Sequence, residues 1–319
     1  MFIPIFLFLL GLGMLVKGGD LFVDGAVGFA GRFAIPELVI GATVVSIGTT
    51  LPEITVSVTS ALGGHGEIAY GNAIGSIICN TALVSALSVA LRPSEVDRGT
   101  LKLPVVLFFI ASLVYIGAAY ALGGFGRWVG LILLAVFISY VLLLLIRGRG
   151  GSDIGGSKDE KKSSTWKLLV SLAAGAALIA IGADLLVDNG TVIARELGVS
   201  PSVIALTFIA LGTSLPELVT AIAAIAKGHG AISLGNVIGA NLLNLSLATG
   251  TASVLAPFDV PSEAEILGMN ASLIIDLPVM LFVMAFLTVP ALIRGRLERY
   301  QGVVLLTVYA CFCVLKFVI

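Results

Sequence analysis

Ten apolar stretches of roughly twenty residues or more, each about the length that crosses a bilayer as a helix, follow one another along the chain. They fall at about 2–24, 36–62, 68–91, 101–122 and 127–147, and then at about 166–190, 201–226, 231–255, 266–290 and 300–318. Short polar or glycine-rich breaks separate them, and only one break is long. It runs from Arg147 to Thr165 and carries Gly148-Arg149-Gly150-Gly151-Ser152 and Lys158-Asp159-Glu160-Lys161-Lys162. Such a segment, with Ile154 as its one large apolar residue, cannot build a core of its own and reads as a flexible linker.

Within the apolar pattern two polar interruptions are nearly identical. Gly48-Thr49-Thr50-Leu51-Pro52-Glu53 returns as Gly212-Thr213-Ser214-Leu215-Pro216-Glu217, an offset of 164 residues. The same offset carries Asp20 to Asp184, Asp24 to Asp188, His65 to His229, Asn72 to Asn236, Asn80 to Asn244 and Pro93 to Pro257. An ungapped match over about seventy positions marks an internal duplication. Five crossings per copy, an odd number, make the second copy enter from the opposite side of the membrane. The expected fold is therefore an all-α polytopic membrane protein with ten transmembrane helices, arranged as two inverted five-helix repeats with broken helices at the midplane. Its domains are residues 1–147 as the first repeat, 148–165 as a linker and 166–319 as the second repeat.

Each motif places a carboxylate, two hydroxyls and a proline about ten residues into a spanning stretch. An ionised glutamate in lipid is costly and marks a functional site by default. Proline lacks an N–H and its ring crowds the carbonyl four residues earlier, here that of Gly48 or Gly212, so the turn is expected to break and free backbone oxygens. Carboxylate, hydroxyl and carbonyl oxygens together suit a hard cation such as Ca²⁺ or Na⁺. The bland alternative is a capping box, which Thr50-x-x-Glu53 and Ser214-x-x-Glu217 also satisfy. A second pair, Gly71-Asn72-x-x-Gly75-Ser76 through Asn80 and Gly235-Asn236-x-x-Gly239-Ala240 through Asn244, puts polar side chains on one helical face. These side chains line a polar cavity or simply hydrogen-bond between helices.

Composition narrows the field. The chain is 58% hydrophobic and 12% charged with a net charge of -1, and its mean hydropathy of +1.11 excludes an ordinary soluble domain. Two histidines and the three cysteines (Cys79, Cys311 and Cys313) are too few for a zinc or iron–sulfur centre, and nothing points to nucleic acid. The N-terminal apolar run reads as a first span rather than a signal peptide. Fourteen of the eighteen Lys and Arg residues fall on one side of the alternating crossings. That places the 148–165 linker in the cytoplasm and both termini outside. Asp20, Asp24, Asp184 and Asp188 read as interfacial anchors or caps, with Lys17 snorkelling or pairing with one of them. His65 and His229 read as loop residues, and Asp276 has no acidic counterpart in the first repeat.

At these residues the chain resembles the sodium/calcium exchanger branch of the cation/Ca²⁺ antiporter superfamily, whose paired repeats carry G-T-S-L-P-E followed by G-N-x-x-G-S-N. The resemblance covers both repeats. It implies four cation sites at the midplane, with the first and sixth helices sliding past the remaining core. Carried over, it makes Glu53 and Glu217 the central Ca²⁺ ligands, with oxygens of Thr49 and Thr213. Thr50, Ser76 and Ser214 with the carbonyls of Ser46 and Ala210 complete flanking Na⁺ sites, and Asn80 and Asn244 line the middle. Two departures are visible: Ala240 stands where the family often has serine, and Asn244 where K⁺-carrying members have aspartate. Gly75 and Gly239 occupy positions at which the proton-coupled branch usually has an acid.

The resulting expectation is a secondary active antiporter of a cell membrane, with no chemical step and no cofactor, exchanging Na⁺ for Ca²⁺ by alternating access. Its partners are those two ions and the lipid bilayer, with no obligate protein partner evident. The alternatives are an H⁺/Ca²⁺ exchanger on the same scaffold and a passive cation channel. An intramembrane hydrolase finds no Ser/Lys, Ser/His or metalloprotease constellation in the sequence.

Overall fold

The computed structural model describes residues 2–148, 164–197, 212–261, 265–266 and 269–318. Ten helices run through them: α1 (Phe2–Phe33), α2 (Glu37–Leu62), α3 (Gly66–Leu91), α4 (Arg98–Leu122), α5 (Arg127–Gly148), α6 (Thr165–Glu196), α7 (Leu215–Ala226), α8 (Gly230–Leu255), α9 (Ser272–Arg294) and α10 (Arg299–Val318). Among the described residues nine of these are long and apolar enough to cross a membrane, and α7 is a shorter apolar helix. The linker at 149–163 and the start of the seventh predicted span lie outside the described residues. By packing, the chain divides into two units that interleave the halves of the sequence: Met1–Thr49 with Gly155–Asn236, and Thr50–Ile154 with Val237–Ile319.

The first unit is built on α1 and α6, which lie antiparallel. A stripe of glycines at seven-residue spacing lets the two backbones meet: Gly11, Gly18 and Gly25 on α1, Gly175 and Gly182 on α6. A methyl group added at Gly11 would sit 2.8 Å from the Gly182 carbonyl oxygen, and one at Gly18 3.0 Å from that of Gly175. Gly11 is the counterpart of Gly175 and Gly18 of Gly182, so equivalent residues exchange partners, as they do about a two-fold axis. In lipid, where apolar surface gains little by leaving its solvent, such close backbone packing is a main source of helix association. Around the stripe, Leu15, Phe22, Val23, Ala26, Leu172, Ile179 and Ala183 form the core of this unit. The Phe22 ring lies against Gly48 on α2, where an added Cβ would meet it at 2.8 Å. The starts of α2 and α8 touch through two more glycines, Gly41 against the Ile232 carbonyl and Gly235 against that of Leu38.

α1 reaches Phe33, well past the expected end near residue 24, because Asp20 and Asp24 are neither caps nor termini. Lys227, after α7, takes both: its Nζ is 3.3 Å from Asp20 Oδ1 and 2.7 Å from Asp24 Oδ1, and it donates to the Asp20 carbonyl at 2.9 Å. Lys17, the expected partner, is exposed. His229 is not a mere loop residue either, since its Nδ1 lies 2.8 Å from Glu37 Oε1.

In the second unit α5 meets α8 through Gly130 and Gly250, and α10 meets α3 where Gly302 faces Ala86 and Ala90. Tyr70, Tyr115, Phe125 and Phe258 stack into an aromatic cluster with centroids 4.3 to 6.1 Å apart. Two-residue ribbons pair Ser94–Glu95 with Arg296–Leu297 and Gly124–Phe125 with Phe258–Asp259. Asp97 caps α4, its carboxylate accepting from the N–H groups of Gly99 and Thr100. Partial burial pushes this carboxyl up, but the hydrogen bonds from Gly99 and Thr100 outweigh it and hold the group below its usual range.

Replacing Gly182 with valine should wedge α1 from α6 and lower the thermal unfolding midpoint in detergent, at a cost of about 1–3 kcal/mol. Gly13→Ala, on the same pair of helices but with nothing near its added methyl, should leave the midpoint unchanged or slightly raised. Asp97→Ala should cost about 1 kcal/mol near neutral pH. A carboxylate with a depressed pKa stabilises the fold above its unfolded pKa, about 3.9, and loses that contribution as pH falls through the folded value. The difference between wild type and Asp97→Ala should therefore close in acid.

Candidate cation site

In the first motif the chain stays helical. Ser46–Leu62 is continuous with Pro52 inside it, so the break expected there is absent. A proline removes one hydrogen bond, which a helix flanked by packing partners tolerates. The irregularity lies upstream instead, in a π-helical turn at Gly41–Val45. At the second motif a helix begins: α7 starts at Leu215, with Ser214 preceding it and Pro216 in the first turn, where no N–H is needed. Neither copy is a capping box. Thr50 lies inside a helix, and Ser214 makes no side-chain cap hydrogen bond.

The second unit holds Thr50, Glu53, Ser76, Asn80 and Asn244, all buried, with Glu53, Asn80 and Asn244 fully so. Asn72 on α3 uses both amide hydrogens to fasten α2, donating to the Glu53 carbonyl and to Ser57 Oγ, each at 2.9 Å. Further along α3, Asn80 opens a π-helical turn, Asn80–Ser85, and its counterpart Asn244 opens another on α8, Asn244–Ala248. These wide turns recur at equivalent places in both repeats, and such turns are frequent at functional sites. The stretch Gly66–Cys79 of α3 packs on Asn244–Ala248. Neither amide atom of Asn80 or of Asn244 has a hydrogen-bond partner among the described residues. A buried polar atom left unbonded costs about 1–3 kcal/mol, and this unit carries four such atoms on these two amides. Beside them Asn241 donates to Thr81 Oγ1 at 2.7 Å, linking α8 to α3.

The first unit holds Ser46, Thr49, Ser214 and Glu217, all at most 2% exposed, with Thr213 half-buried. Glu217 lies in the first turn of α7. Thr49 Oγ1 donates to Asn236 Oδ1 at 3.0 Å. Ala210 lies outside the described residues. Each unit thus holds one fully buried glutamate. Among the described residues no three His, Cys, Asp or Glu are grouped so as to hold a metal ion; the buried glutamates, hydroxyls and amides carry oxygen donors, the kind that hard cations take.

Three features escape a reading of the sequence. Ser57 and Thr81 sit in apolar runs and declare themselves only through Asn72 and Asn241. Asn241 has Ile77 as its counterpart, so the duplication gives no signal for it. Asp276, in a π-helical turn at the start of α9, is gripped by Lys316 of α10, whose Nζ lies 3.0 Å from each carboxylate oxygen.

An all-helical, largely apolar protein with buried glutamates, hydroxyls and paired asparagines at duplicated positions belongs to the class of polytopic membrane cation transporters. The model of the sodium/calcium exchanger protein family matches residues 3–146 and 167–318, and the chain belongs to that family. An uncharacterised membrane protein of Methanocaldococcus jannaschii is 35% identical over 303 residues, 95% of this chain and 94% of its own. The sodium/calcium exchanger MaX1 of Methanosarcina acetivorans is 31% identical over 349 residues, 98% of this chain and 97% of its own. Among solved structures, the sodium–calcium exchanger NCX_Mj soaked with 10 mM Na⁺ and zero Ca²⁺ is 34% identical, covers 97% of each chain and superposes with a TM-score of 0.79.

The Asp276–Lys316 pair lies within one unit and ties two spanning helices, so it should act on stability. Asp276→Asn and Lys316→Met should each lower the unfolding midpoint in detergent. The double variant should lose less than the sum of the two, because the second substitution finds its partner already gone.

Proposed function

We propose that this protein is a secondary active antiporter that moves Ca²⁺ against Na⁺ by alternating access, with Glu53 and Glu217 as the principal ligands of the transported Ca²⁺. The observation that carries this reading is a fully buried glutamate at the same place in each repeat, in a chain of the exchanger family. A buried ionised carboxylate persists only with a compensating charge. Two such carboxylates match the charge of one Ca²⁺ or of two Na⁺, so the ions compete for the same oxygens and the two fluxes are coupled. Ca²⁺ accepts six to eight oxygens in flexible geometry, which a mixed set of carboxylate, hydroxyl, amide and carbonyl groups supplies more readily than the tight octahedron of Mg²⁺.

In this reading Asn80 and Asn244 offer amide oxygens to the central ion. Thr49, Thr50, Ser76, Thr213 and Ser214, with the carbonyls of Ser46 and Ala210, serve the flanking Na⁺ positions. Ala240, where the first repeat has Ser76, leaves one flanking position without a hydroxyl. Gly75 and Gly239, where the proton-coupled branch has acids, favour Na⁺ over H⁺ as the driving ion. In this reading the protein works in the cell membrane, and the distribution of basic residues favours the 148–165 linker in the cytoplasm and both termini outside.

In proteoliposomes, an imposed Na⁺ gradient should drive ⁴⁵Ca²⁺ uptake, while a K⁺ or H⁺ gradient alone should not. Glu53→Gln and Glu217→Gln should each reduce that uptake to background while the protein remains monodisperse. Near-normal uptake in both variants would remove the two glutamates from the site, and uptake driven by a pH gradient without Na⁺ would replace Na⁺ by H⁺.

A further inference from the structure

The duplicated asparagines Asn72 and Asn236 do different work. Asn72 is fastened by Ser57, but the counterpart of Ser57 in the second repeat is Ala221, which offers no hydroxyl. Asn236 is fully buried, its Nδ2 has no hydrogen-bond partner among the described residues, and its Oδ1 receives the Thr49 hydroxyl at 3.0 Å. A threonine hydroxyl has one hydrogen and two lone pairs. In a helix its usual recourse is to donate back to a carbonyl three or four residues earlier. For Thr49 that acceptor is the Ser46 carbonyl, 3.4 Å away and thus at the outer limit of a useful contact. The shorter bond to Asn236 draws the hydrogen across to α8.

We infer that Asn236 is a positioning residue for cation capture: by accepting the Thr49 hydrogen it leaves the lone pairs of Thr49, and the lone pair of the Ser46 carbonyl not used within the helix, to face a cation. This rests on the reading of Thr49 and Ser46 as ligands, and it assigns Asn236 no contact with the ion. Without Asn236, the Thr49 hydroxyl falls back on Ser46, and one hydrogen bond occupies both oxygens. The duplicated position is therefore specialised. In the first repeat the asparagine clamps the backbone beside a glutamate, and in the second it orients a hydroxyl contributed by the first.

The test is a double-variant cycle in proteoliposomes, reading the Na⁺ concentration that half-saturates Na⁺-driven ⁴⁵Ca²⁺ uptake. Asn236→Ala should raise it about tenfold, the scale of one misdirected hydrogen bond, with the effect on half-saturation rather than on maximal rate. Thr49→Val should raise it as well, and adding Asn236→Ala to Thr49→Val should change nothing further. Asn236→Asp, which keeps the acceptor and lacks the amide hydrogens, should restore a value near wild type. Asn236→Gln moves the acceptor by one methylene and provides a second disrupting variant should the alanine form fail to fold. Multiplying effects in the double variant, or an aspartate as impaired as the alanine, overturns the inference. Wild-type half-saturation in Thr49→Val also overturns it and removes Thr49 from the ligand set. The glutamate variants read the wider assignment separately: loss of uptake there with additive effects here leaves the transport reading standing and this one refuted.

Discussion

A polar group deep in an apolar protein must be bonded, and a charge there must be matched. In this chain that constraint decides what each buried polar residue does. Most of them are satisfied locally. Ser112, Ser253 and Thr288 return their hydrogens to carbonyls one turn back. Asp276 is matched by Lys316 and Asn241 is held by Thr81. Others are not: among the described residues both amide atoms of Asn80 and of Asn244 stay unbonded, as does Nδ2 of Asn236. Asn80 and Asn244 stand at the same place in each repeat, as do the fully buried Glu53 and Glu217.

Duplication supplied one scaffold twice, and the copies have since diverged where it matters for mechanism. Both asparagines 80 and 244 open a wide helical turn, so the geometry at these places is shared. Around the glutamates it is not. Pro52 sits inside a continuous helix, whereas Pro216 opens one. Ser57 fastens Asn72 in one copy, and Ala221 leaves Asn236 to a different partner in the other. The two copies of one sequence pattern thus hold their polar side chains by different local bonds.

Much of this was legible in the sequence. The spans, the two motifs, and the burial of Glu53, Glu217, Asn80 and Asn244 follow from hydropathy and from a constant offset. The reading fails where a partner is remote in the chain. Lys227 reaches back more than two hundred positions to Asp20 and Asp24, and no local pattern announces it. Once that pairing is known, the extension of α1 to Phe33 ceases to be surprising, because the aspartates are held by Lys227 part-way along the helix. The continuity of α2 through Pro52 was hidden for another reason: propensity measures an isolated helix, whereas here the flanking turns of one long apolar helix carry the proline. Asn241 was missed because symmetry was the guide and this residue breaks it.

The seam between α1 and α6 has a mechanical corollary. With hydrogen atoms alone standing where side chains would interlock, the two rods touch along their main chains and have no room to approach further or to roll independently. Any side chain larger than hydrogen at Gly11, Gly18 or Gly182 would therefore hold the two rods apart along the whole seam.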